Sequence, residues 1–170
     1  MNRSIIVAIP ILLMLTILQV SVLTVLPILD QVVQPVVLCA IAWGMLRGLG
    51  DGLIWAFMGG LFLDLFSIGP WGGHSIAIML STALAVWIVT TLPPRQFWIP
   101  GIIGGICAVV YLMVLVGLIQ ISRYGPHWSS LPNVGVFFVV QGSSMVLFYW
   151  LLFLLRQWLY PSEVTGRGLG

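Results

Sequence analysis

Six apolar segments, separated by short clusters of Pro, Gly and polar residues, account for most of the chain. The first covers about residues 4–25 and contains Pro10, an expected kink. Pro27, Asp30 and Gln31 mark a turn. A shorter second segment follows at about residues 32–46, entered through Gln34 and Pro35. Residues 47–52, Arg-Gly-Leu-Gly-Asp-Gly, read as a tight polar turn into a third segment at about 53–66. Gly69, Pro70, Trp71, Gly72 and Gly73 break the chain before a fourth at 74–92. Pro93, Pro94, Arg95 and Gln96 separate that from a fifth at about 97–121. A longer loop, 122–133, leads into the sixth at 134–160, and residues 161–170 form a Gly-rich tail expected to be flexible.

Composition turns these segments into membrane spans. Of 170 residues, 61% are apolar and 6% charged, where soluble domains carry roughly 25% charged residues. The ionised set is six Arg, three Asp and one Glu, with no Lys, and mean hydropathy is +1.17. A span needs about 20 apolar residues and a short connection, so the chain has room for about six. The expectation is an all-α integral membrane protein: one six-helix transmembrane domain over residues 1–160 and a short tail over 161–170.

Charge placement sets the expected orientation. Arg3, Arg47, Arg95, Arg156 and Arg167 fall on one side of a six-span topology and Arg123 on the other. Positive residues stay in the cytoplasm, which puts both termini inside. Trp71, Trp98, Trp128, Trp158 and Tyr160 sit near segment ends, as an interfacial aromatic belt requires. The first segment far exceeds the apolar core of a signal peptide and lacks an Ala-x-Ala site, so it reads as a retained helix. No basic cluster exists to neutralise phosphates, which excludes nucleic acid as a partner. Cys39 and Cys107 lie in apolar runs and read as buried small hydrophobes.

Ionisable residues inside spans mark function or helix contacts. Asp64 lies 13 residues past Asp51, hence about 20 Å along a helix, toward the outer end of the third span. Three readings stay open: an interfacial carboxylate in headgroup water, a structural pair with His74 or Arg123, or a proton or substrate site. Asp51 begins the third span, where a carboxylate meets the positive end of the helix dipole, with Arg47 four residues before it. Gly48, Gly52, Ala56 and Gly60 recur every four positions and the series continues to Asp64. Such a small-residue face admits a close helix, either inside the bundle or from a partner. Ala77, Ser81 and Ala85 repeat the spacing in the fourth span, and Gly101 and Gly105 in the fifth.

Catalytic constellations are missing. The two His residues have no nearby Cys and too few carboxylates for a structural zinc site. Gly142-Ser143-Ser144 is not a nucleophile elbow. Asp51-Gly52 is similar to part of the phosphatidyltransferase motif, but Gly48 stands where the first Asp belongs and Trp55-Ala56 replaces Ala-Arg. No cofactor or metal is expected, and no enzymatic activity.

Residues 48–64, with Gly60-x-x-x-Asp64, followed by Gly69 and Gly72-Gly73, resemble the rod shape-determining protein MreD family. In that resemblance Gly60 and Asp64 match the family's Gly and Asp, and Gly72 or Gly73 matches its turn glycine. It implies a non-catalytic scaffold of the bacterial cell-elongation (rod) complex in the inner membrane, supporting peptidoglycan synthesis and cell shape. An MreC-like membrane protein is the implied partner, with the MreB filament, the RodA glycosyltransferase and a class B penicillin-binding protein beyond it. Gly52, Ala56, Gly60 and Asp64 are the expected partner-interface or helix-packing residues. The family also looks like the substrate-binding subunit of energy-coupling-factor transporters. The alternative is therefore a vitamin-binding transporter subunit, with Asp64, His74, Arg123, Trp71 and Trp128 lining an outward pocket. Ala8 is the only alanine in the first segment, where such subunits often carry an Ala-x-x-x-Ala docking pattern.

Overall fold

The computed structural model describes residues 3–21, 33–67, 71–92, 96, 98–121 and 133–160. Among these residues there are six helices and no strand: α1 (Arg3–Ser21), α2 (Pro35–Arg47), α3 (Leu49–Phe66), α4 (Gly73–Thr91), α5 (Ile99–Ile121) and α6 (Val134–Leu159). Four of them, α3 to α6, are long and apolar enough to cross a bilayer. Helix α2, at 13 residues, is shorter, and α1 runs to the edge of the described residues at Ser21. Helix α1 continues through Pro10. The stretch from Val22 to Val25, the loop with Arg123 and Trp128, and the tail from residue 161 lie outside the described residues.

The shortest helix is the centre of the bundle. Helix α2 packs against α1, α3, α4, α5 and α6, and 12 of its 13 residues are buried. Its sequence is apolar all round, as a helix enclosed by protein requires. At about 20 Å it falls short of a hydrocarbon core of about 30 Å. The outer helices instead present large apolar side chains outward, among them Met14, Leu80, Trp87, Met113 and Leu147. Trp71, Trp98 and Trp158 are exposed near helix ends, where amphipathic rings meet headgroups.

The expected polar turn at residues 47–52 is corrected. Only Gly48 interrupts the helices, and α3 is already formed at Leu49. Gly48 takes φ +92°, a left-handed value that glycine adopts without steric penalty. Gly50, Asp51 and Gly52 look like turn formers by type, yet here they are the first turns of α3. The reason lies in packing. A Cβ on Gly52 would stand 2.5 Å from the Gly44 Cα and 3.2 Å from the Thr82 γ-methyl. Helices α2, α3 and α4 thus meet around one methyl group, and close approach offsets a helix penalty of about 1 kcal/mol per glycine. Gly48 itself has open space around it, so the small-residue stripe begins at Gly52.

Thr82 makes this junction testable. Its side chain is fully buried and its Oγ1 has no hydrogen-bond partner. Thr82→Val keeps the plugging methyl and removes the hydroxyl. Thermal unfolding in detergent should show stability unchanged or raised by up to about 1 kcal/mol. A clear loss would mean the hydroxyl is engaged after all.

Helices α5 and α6 pair in the same manner. Gly101 and Gly142 face each other, each placing a Cβ within 3.0 Å of the other's carbonyl oxygen. Gly105 receives the Phe138 ring and Gly104 receives Met145. These contacts run in opposite chain directions, so α5 and α6 are antiparallel. The inward stripe of α6 is Phe137, Gln141, Met145, Leu152 and Leu159.

Candidate functional site, a carboxylate clasp between two helices

Helix α4 starts without a cap of its own. Gly72 occupies the N-cap position at φ +82° and offers no side chain, leaving the first backbone N–H groups of α4 without intrahelical acceptors. Asp64, in the last turn of α3, supplies what is missing. Its Oδ1 accepts from the His74 backbone N–H at 3.0 Å, and its Oδ2 from the Ser75 N–H at 3.3 Å and the Ser75 hydroxyl at 2.9 Å. These are the second and third helical positions, the ones an ordinary N-cap side chain would serve. The His74 ring adds Nδ1 at 3.0 Å from Oδ1, a donor in the tautomer that carries its proton there. A carboxylate at a helix N-terminus also meets the positive end of the dipole.

Gly60 explains how the carboxylate reaches these donors. A Cβ on Gly60 would overlap the Ser75 Cα and lie 2.6 Å from the Ser75 nitrogen. Glycine therefore lets the start of α4 rest on α3, and one turn later Asp64 holds it there. The spacing Gly60-x-x-x-Asp64 follows from helical geometry, since i and i+4 share a face. Tyr111 of α5 is buried nearby, its ring 6.4 Å from that of His74.

This geometry revises the expectations for Asp64. The interfacial reading is corrected: the Asp64 side chain is 1% exposed and turned inward, because the α4 N-terminus offers several donors at once. Of the two partners considered, His74 is present in the clasp, and Arg123 lies outside the described residues. Trp71 is 81% exposed, in contrast to the enclosed Asp64 side chain.

The other expected site residues are buried by this chain. Gly52 contacts Gly44 of α2 and Thr82 of α4, Ala56 is fully buried, and Gly60 lies on Ser75. A foreign helix has no room on that face. Ala77, Ser81 and Ala85 of α4 are likewise fully buried. Ser75, Tyr111, Gly44 and Thr82 were not singled out from the sequence. Nothing in the residue types alone marks them, since serine favours helix caps and turns in general.

The second carboxylate of α3 is placed differently. Asp51 pairs with Arg47 at 3.2 Å across one turn, and the Arg47 guanidinium stacks 4.0 Å from the centre of the Tyr160 ring. The pair is part-exposed, so water screens it. Asp51→Asn should therefore cost under about 1 kcal/mol, read as a small shift in thermal unfolding. A loss as large as that at Asp64 would mean the pair is shielded from solvent.

Among the described residues, no three of His, Cys, Asp or Glu stand together as metal ligands would. The features define a multi-pass helical membrane protein whose polar side chains tie helices to one another. Comparison with protein-family models, curated proteins and solved structures gives no match for the chain.

Proposed function

We propose that this protein is a non-catalytic six-span scaffold of the bacterial cell-elongation complex, of the MreD kind, seated in the inner membrane with both termini in the cytoplasm. One observation carries the reading. The residues that resemble that family, 48–74, are those that build the α3–α4 hairpin and its clasp. Both oxygens of the motif carboxylate are occupied by internal donors. That favours a structural use of Asp64 over turnover.

An MreC-like protein is the proposed direct partner, bound through a transmembrane helix, with MreB, RodA and a class B penicillin-binding protein reached through the assembly. Because α2 and α4 fill the stripe at Gly52, Ala56 and Gly60, the partner meets an outward face. Among the long helices α6 has the smallest buried share, 17% against 39–44% for the others, and offers the most free surface. Helices in lipid associate by close packing and interhelical hydrogen bonds.

Affinity purification of the tagged protein from native membranes in mild detergent tests this. An MreC-like protein with wall-synthesis enzymes is the expected recovery. Transporter ATPase subunits, or a tightly held vitamin-sized ligand, would overturn it in favour of a transporter subunit.

A further inference from the structure

The end of α4 and the first half of α5 line a cleft of about 590 Å³, a size typical of small-molecule sites, roughly 300–1,000 Å³. Its walls are hydrocarbon: Ile88 on α4, with Ile99, Ile103 and Ile106 on α5. Polar atoms come from Gln96 and Trp98, which lie where the two helices connect. An apolar cleft whose two side chains with N–H donors, Gln96 and Trp98, both lie at the α4–α5 connection matches an amphiphile.

Two observations identify the amphiphile. First, the cleft is continuous with the outward apolar surface, since its lining residues Leu92, Ile102 and Ile106 are 64%, 44% and 42% exposed. In a multi-pass membrane protein that surface meets lipid. Second, Trp98 at the polar end is about half exposed, the placement of an indole at headgroup level. A second trough, lined by α1, α6 and Cys39, is also apolar, with the Trp158 indole and the weakly donating Cys39 thiol as its side-chain donors and no amide.

We infer that the α4–α5 cleft is a resident phospholipid site. One acyl chain lies along Ile99 to Ile106, and the Gln96 amide and Trp98 indole N–H donate to the ester or phosphate oxygens. The inference does not depend on the function proposed above.

The test uses the full chain in nanodiscs containing a trace of phosphatidylglycerol with a photoactivatable group halfway along one acyl chain. After irradiation, labelled peptides are mapped by mass spectrometry. Label on residues 88–92 and 99–106 several-fold above that on the outward faces of α1 and α6 is expected. Even labelling of all outward faces would overturn the proposal, because the lipid would then be ordinary bilayer. Ile102→Phe with Ile106→Phe, which narrows the cleft, should abolish the excess. An unchanged excess in that variant also overturns it. So does cross-linking of this cleft to a protein helix in native membranes. If the double variant does not fold, the wild-type map alone decides.

Discussion

Gly60→Leu should disrupt the α3–α4 hairpin and cost about 3 kcal/mol or more, at the upper end of overpacking effects. The size follows from what the new side chain meets. A Cβ at position 60 lands on the backbone of Ser75, not on the flexible end of a side chain. The helices can accommodate it only by separating, and separation draws the N–H groups of His74 and Ser75 away from Asp64. Steric and polar losses therefore come together. Gly50→Ala is the matched control, since a Cβ there meets nothing within 4 Å and α3 should gain about 0.4–1 kcal/mol. Thermal unfolding followed by size-exclusion chromatography in detergent separates the two. Equal melting of Gly60→Leu and Gly50→Ala would remove the close-approach account.

Asp64→Ala is expected to cost about 3–5 kcal/mol, because it strands several buried donors together. Two backbone N–H groups and a hydroxyl lose their acceptor at once, each orphan costing about 1–3 kcal/mol without strict additivity. Asp64→Asn should recover only part of the loss. The amide keeps one acceptor oxygen but turns an NH₂ toward donors. Ser75→Ala, which removes one of the bonds, should cost about 1 kcal/mol. The ordering Asp64→Ala, Asp64→Asn, Ser75→Ala is the signature of a capping carboxylate. Wild-type stability in Asp64→Ala would return the residue to the role of a solvated interfacial charge.

Some of this architecture was legible in the sequence, and the division has a physical basis. The six apolar segments map onto six helices because breaks at Pro and Gly are local signals, read from neighbours along the chain. Asp64 was visible as a residue out of place in lipid, and His74 was one of its two foreseen partners. The remainder of the clasp was hidden. Ser75 enters it through a backbone N–H and a short hydroxyl, neither of which stands out in an apolar run. The central position of α2 was hidden for a different reason. In lipid, protein-facing and bilayer-facing sides are equally apolar, so the one-sided pattern that betrays the core of a soluble protein does not exist. The small-residue stripe showed that some backbone comes close at Gly52 and Gly60. Its spacing could not say whether that backbone belongs to this chain.

The enclosure of α2 bears on how the protein is made. A helix of 13 residues is below the roughly 17–25 needed to cross alone, and its finished environment consists of helices mostly synthesised after it. During synthesis it has no stable berth in the bilayer by itself. The single-residue link at Gly48 hands it directly to α3, which is long enough to span, so the two enter as one insertion unit. The nascent chain must then keep that hairpin from settling against lipid until α4, α5 and α6 have emerged to close around it. The most central element therefore cannot be fully surrounded until α6, the last helix in the described chain, has been made.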